Sequence, residues 1–194
     1  MTDKGGCYWH YDVCNQRNTH MKSLVDQLAQ YAAYHRDSRN IVSHLIGIPL
    51  IVVAVSTLLA RPTFGVATLT LSPAAAVAAI VAIFYLRIDI RFGMLMTVLL
   101  ALSTWAGQTL AAHSTALWLT SGLGLFLVGW IIQFIGHYYE GRKPAFVDDL
   151  TGLVIGPLFI VAELAFFMGL RNSVRHAVEQ RAGPIRSRTG KLHV

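Results

Sequence analysis

The chain has 194 residues, of which 54% are hydrophobic and 13% charged, with a mean hydropathy of +0.50 and a formal net charge of +6. A water-soluble domain carries roughly 25% charged residues, so an ordinary soluble domain is excluded. The excess positive charge is gathered after the last apolar stretch, which fits a membrane-facing tail and not a nucleic-acid-binding surface.

Residues 1–21 form a polar extension, expected to be flexible. The first 43 residues hold no short apolar run with a small-residue cleavage site, the mark of a signal peptide. Cys7 and Cys14 are too few for a disulfide framework, and their spacing with His10 and His20 departs from the paired pattern of zinc ligands. Over 22–35, Leu24, Val25, Leu28, Tyr31 and Ala32 recur every three to four residues, which predicts an amphipathic helix on a membrane surface. Asn40 is the expected N-cap of the next helix.

Apolar segments then follow at 45–60, 66–86, 92–112, 114–136 and 150–170. Residues 62–86 and 92–139 contain no Asp, Glu, Lys or Arg, and one crossing needs about 20 apolar residues. The expected architecture is all-α: an integral membrane bundle of four to five hydrophobic segments preceded by the amphipathic helix. Residues 22–170 form one membrane domain and 171–194 a basic cytoplasmic tail. Loops holding Arg87 and Arg91, and Arg142 and Lys143, alternate with loops poor in basic residues, which assigns the basic loops to the cytoplasm. Five full crossings would strand the tail on the opposite side. The fifth segment is therefore expected to be broken or re-entrant, with Gly156-Pro157 as the breaking point.

This topology brings His35, His44 and His137 to one boundary. Three imidazoles at one depth suit a transition metal such as iron while leaving open coordination positions. Glu140 follows His137 by three residues, on the same helical face, where it could ligate the metal or orient His137. Gln133 precedes His137 by one turn, at membrane depth, where an amide must face the protein interior. A histidine at a membrane boundary is commonly just an amphipathic residue; it is the co-occurrence of three with Asn40, Gln133 and Glu140 that points to a site.

These residues carry a resemblance. The run YAAYHRDSRNIVSHLIGIP, holding Tyr31, His35, Asn40, His44, Gly47 and Pro49, together with GWIIQFIGHYYEGRKPAF at 129–146, resembles the 2-hydroxy fatty acid dioxygenase family over roughly residues 23–170. The resemblance implies an iron(II)-dependent membrane enzyme that uses molecular oxygen to shorten a 2-hydroxy fatty acid by one carbon. It implies His35, His44 and His137 as metal ligands, with Glu140 as the motif carboxylate, and makes 22–170 the catalytic domain. Gln133 and Glu140 are the expected catalytic side chains. Tyr31, Asn40, Arg142, Lys143 and Glu163 are assigned to substrate binding, with Arg142 and Lys143 suited to the carboxylate.

His113 lies 24 residues before His137, about 36 Å along a straight helix at 1.5 Å per residue, and is left outside the metal site. Two alternatives stand beside this reading. A two-iron membrane hydroxylase or desaturase would carry clustered HxxxH and HxxHH patterns, which the chain lacks. A small transporter would use Glu163 in the membrane. The bacterial inner membrane and the endoplasmic reticulum suit the chain equally.

Overall fold

The computed structural model describes residues 23–66, 69–144 and 151–186. The Cys7, His10, Cys14 and His20 pattern lies outside them. Among the described residues there are seven helices: α1 (Leu24–Ala32), α2 (Ser38–Leu58), α3 (Pro73–Ile88), α4 (Ile90–Ala111), α5 (Thr115–Glu140), α6 (Thr151–Phe167) and α7 (Asn172–Ala182). The architecture is all-α, with one short hairpin, β1 (Phe64–Val66) against β2 (Leu69–Leu71), between α2 and α3.

Local chemistry sets the helix ends. Ser23 opens α1 with a capping box that includes Asp26, and Ser72 caps α3 just ahead of Pro73, whose fixed φ suits a first helical position. Asp89 caps α4 and Ser114 caps α5. Asn40 is not the cap of α2. Asp37 is, accepting from the Arg39 amide, while Asn40 lies inside the first turn with its side chain buried. The second apolar segment likewise begins as a helix at Pro73 and not at 66, since the hairpin occupies its start.

Helices α2, α4 and α5 are long and apolar enough to cross a membrane; α3 is shorter, at 16 residues. Their outward faces are apolar. Ile80, Val98, Leu102, Trp105, Leu127 and Ile131 are all more than half exposed, which is the inverse of a soluble bundle and the pattern expected where lipid is the solvent.

Small residues set the helix contacts. A Cβ at Gly107 would lie 2.6 Å from the Ser56 carbonyl carbon, so α4 rests directly on the α2 backbone. A Cβ at Gly129 would approach Ile51 to 2.6 Å, and one at Gly47 would approach the Gly129 carbonyl oxygen to 2.9 Å. Close backbone approach of this kind is how apolar helices associate without a hydrophobic drive between them.

Two expectations change. The amphipathic helix does not keep its apolar face for lipid: Leu24, Leu28, Tyr31 and Ala32 are buried in a cluster shared with α6 residues Leu158 and Phe159 and with Val178 of α7. The break in the fifth segment is not at Gly156-Pro157 either. Helix α6 runs through Pro157, and the chain turns after it, where Gly169 and Arg171 take left-handed φ values of 76° and 57° and α7 departs at 117°. The first turn of α6 and the turn that follows the helix are both tied to the end of α3. Tyr85 Oη donates to the Val154 carbonyl (2.5 Å), and Arg171 pairs with Asp89 (2.7 Å).

Candidate metal centre

The first two turns of α2, the last turns of α5 and the link between α1 and α2 meet at one end of the bundle, and each contributes a histidine. His35 is fully buried, and His44 and His137 are 3% and 7% exposed. Their ring centroids lie 4.5 to 5.0 Å apart, with the planes steeply inclined to one another. One nitrogen from each lies within 4.8 Å of the others. Tyr31 stacks on His35, centroids 4.1 Å apart and planes 5° from parallel.

The hydrogen bonds determine which nitrogens face inward. His35 Nδ1 lies 2.8 Å from the Tyr31 carbonyl, and His44 Nδ1 lies 2.9 Å from the Asn40 carbonyl. A carbonyl can only accept, so both Nδ1 atoms carry the proton and both Nε2 atoms present lone pairs. Those two Nε2 atoms stand 3.1 Å apart. Two lone pairs at that distance repel unless a cation lies between them. Two ligands at right angles on a metal with bonds of about 2.1 Å would be separated by about 3.0 Å. His137 Nδ1 is buried and has no hydrogen-bond partner among the described residues. Burial first, then the facing His44, holds His35 well below the ordinary imidazole pKa, so it stays neutral as a donor must. The donor set fits a transition metal bound by three neutral nitrogens.

Glu140 stands outside the histidine group, with both carboxylate oxygens engaged. Its Oε2 accepts from the backbone amides of Arg36 (2.9 Å) and Asp37 (2.7 Å) and from Asn40 Nδ2 (3.1 Å), while Oε1 accepts from Arg186 (2.5 Å). Arg36 and Asp37 directly follow His35 in the chain, and Asn40 precedes His44 by one helical turn. The carboxylate at the end of α5 therefore fastens the three histidine-bearing segments to one another. Asn40 belongs to this latch and does not line the cavity beside the histidines. Arg142 and Lys143 do not line it either: both are exposed, and Arg142 donates to the Ala33 carbonyl (2.7 Å).

Glu163 is also engaged elsewhere. It pairs with Arg36 at 3.1 Å, with the two side chains 11% and 7% exposed. Arg36 further donates to the carbonyls of Ala32, His35 and Gly183. Removing one member of such a pair strands the other, at about 3–5 kcal/mol. Glu163→Ala is accordingly expected to lower the unfolding free energy by about that amount while leaving KM unchanged, as thermal unfolding and steady-state kinetics would reveal. A raised KM with unaltered stability would place Glu163 at the substrate instead.

A cavity of about 70 Å³ opens beside the histidines, lined by Tyr31, His44, Gln133, His137, Trp130 and Gly156 among others. Gln133 is 4% exposed, and neither its Oε1 nor its Nε2 has a hydrogen-bond partner among the described residues. A buried amide left unmatched is costly, and Gln133 lines this chamber together with His44 and His137. His113 sits before α5, at the opposite end of the bundle, where its carbonyl accepts from Arg61 (2.6 Å).

Sequence reasoning missed Arg36 and Arg186. An acid within an apolar segment implies a buried cation, and the arginine next to His35 was available to supply it. Nothing local signals Arg186, which reaches Glu140 only through the return of the chain after α7.

A profile of the family described as "2-hydroxy-palmitic acid dioxygenase Mpo1-like" matches residues 21–168. The chain belongs to this family. It is 35% identical over 158 residues to the 2-hydroxy-palmitic acid dioxygenase MPO1 of Saccharomyces cerevisiae (strain ATCC 204508 / S288c), covering 80% of this chain and 87% of the yeast protein. No solved structure matches the chain. The matched region contains His35, His44, Gln133, His137 and Glu140, and it ends before α7 and Arg186.

Proposed function

We propose that this protein is an iron(II)-dependent dioxygenase that shortens 2-hydroxy fatty acids by one carbon. Family membership supports the reaction class. The observation that carries the metal is the pair of Nε2 lone pairs held face to face by two Nδ1–H bonds to backbone carbonyls. His35, His44 and His137 would hold the iron, which when bound supplies dioxygen activation and a chelating centre for a 2-hydroxy carboxylate.

The remaining roles belong to the chain itself. Gln133 is suited to the substrate head group: its Nε2 can donate to a carboxylate oxygen, and its Oε1 can accept from the 2-hydroxyl. Tyr31 packs flat against His35 and fixes that ring. Trp130, Leu153 and Pro157 give the cavity apolar lining, which would help exclude water around a bound substrate. No protein nucleophile is required. The apolar outward faces support a location in the bilayer, and the basic loops favour the cytoplasmic boundary for the site, in a bacterial inner membrane or the endoplasmic reticulum.

The test is purified protein supplied with iron(II), oxygen and a 2-hydroxy fatty acid, with products identified by mass. The acid one carbon shorter is expected, and its absence would refute the proposal. Gln133→Leu is expected to keep its iron while losing about 10²-fold in kcat/KM, because a misplaced substrate reacts slowly. Unchanged kinetics in this variant would remove Gln133 from the substrate's path.

A further inference from the structure

A second, larger cavity of about 380 Å³ adjoins the histidine chamber. Ile51, Val52, Trp130, Leu153 and Pro157 line both. One stripe of α2 borders the whole path, from His44 through Ile48, Val52 and Val55 to Leu59, at spacings of three and four. Helix α3 faces it in the opposite direction with Tyr85, Val81, Ala78 and Ala74. The Ala74 amide donates to the Leu59 carbonyl (2.9 Å), so these two residues mark the same far end. The lining is almost wholly apolar, and the hydroxyl of Tyr85 is already bonded to Val154.

We propose that this second cavity seats the alkyl tail of the substrate, and that Ala78 and Ala74 of α3 set the longest chain accepted. The inference rests on the dioxygenase reading and adds a length gauge to it. Fifteen residues from His44 to Leu59 rise about 22 Å. An extended alkyl chain with C–C bonds of about 1.52 Å and angles near 111° advances about 1.25 Å per carbon, so the path holds about 18 carbons. Ala78 lies one turn nearer the histidines than Ala74 and, counted back from the bonded Leu59 and Ala74, at the level of Val55, about 16 Å or about 13 carbons from His44. Two alanines in a wall otherwise made of larger side chains leave the far part of the path open.

The experiment uses the full chain loaded with iron(II) and a series of 2-hydroxy acids from ten to eighteen carbons. It measures kcat/KM in air and binding affinity without oxygen. Ala78→Leu is expected to leave the ten-carbon acid unaffected and to lose at least about tenfold on acids beyond thirteen carbons, since a refused methylene costs about that factor or more. Leu59→Ala, which enlarges the far end, is expected to favour the longest acids. Equal losses at every length, or an unaltered preference in an Ala78→Leu protein of normal iron content, would overturn the gauge. Failure of the dioxygenase reading looks different: the wild-type protein would turn over no acid of any length. The anaerobic affinities would then still decide the gauge, because the same length-dependent loss supports it and a flat response refutes it.

Discussion

Alanine at His35, His44 or His137 is expected to abolish turnover and remove most bound iron, one substitution at a time, while the protein still inserts and folds. Each imidazole would be one third of the proposed donor set. Its loss should exceed the roughly 10–100-fold fall in metal affinity that follows removal of an orienting group. Metal analysis of detergent-purified protein, paired with product formation, measures both. His113→Ala is the matched control and is expected to retain iron and activity, because α5 separates His113 from the cluster by nearly its full 26 residues. Retained iron in His44→Ala, or a loss in His113→Ala equal to that in His137→Ala, would refute the three-histidine centre.

Glu140 should separate two behaviours in two variants. In Glu140→Ala the buried amides of Arg36 and Asn40 and the half-buried amide of Asp37 lose their acceptor together. With about 1–3 kcal/mol for each stranded group, and with losses that overlap within one network, an overall fall of about 3–5 kcal/mol in stability is expected. In Glu140→Gln one carbonyl oxygen remains for the amides, but the charge that holds Arg186 is gone. That variant is expected to fold, to bind iron about 10–100-fold more weakly and to recover activity when iron is added in excess. A Gln variant that excess iron cannot rescue, behaving like the histidine variants, would return Glu140 to the ligand set.

Much of this arrangement was legible because membrane chemistry restricts what polar residues can do. Apolar runs announced the long helices, and the three histidines stood at segment boundaries that a simple topology brings together. Gln133 declared its inward direction by lying one turn from His137 in a stretch free of charge. Other features depended on partners far away in sequence. Glu140 follows His137 at a spacing that resembles a metal ligand, yet its partners at 36, 37 and 40 lie about one hundred positions earlier. Asn40 reads as a cap, but Asp37 stands three residues before it and takes that position. Pro157 reads as a break; α6 tolerates it, and the chain turns instead at Gly169 and Arg171, where the backbone enters left-handed space. Arg142 and Lys143 read as a carboxylate clamp from charge alone, whereas Arg142 is committed to a carbonyl at the end of α1.

The return of the chain from α7 bears on where a minimal active fragment can end. The Arg186 amide donates to the Arg36 carbonyl (2.7 Å), the Ser38 amide donates to the Arg186 carbonyl (3.1 Å), and the Arg186 guanidinium holds Glu140. A short parallel bridge thus lies along the segment that carries His35. The family match stops at residue 168, so a fragment cut there would keep every proposed ligand and lose the bridge residue that backs one of them. Boundaries chosen from similarity alone would yield a protein with its proposed donors intact and the segment that carries His35 less firmly held. A fusion partner joined close behind residue 186 would strain the same seam.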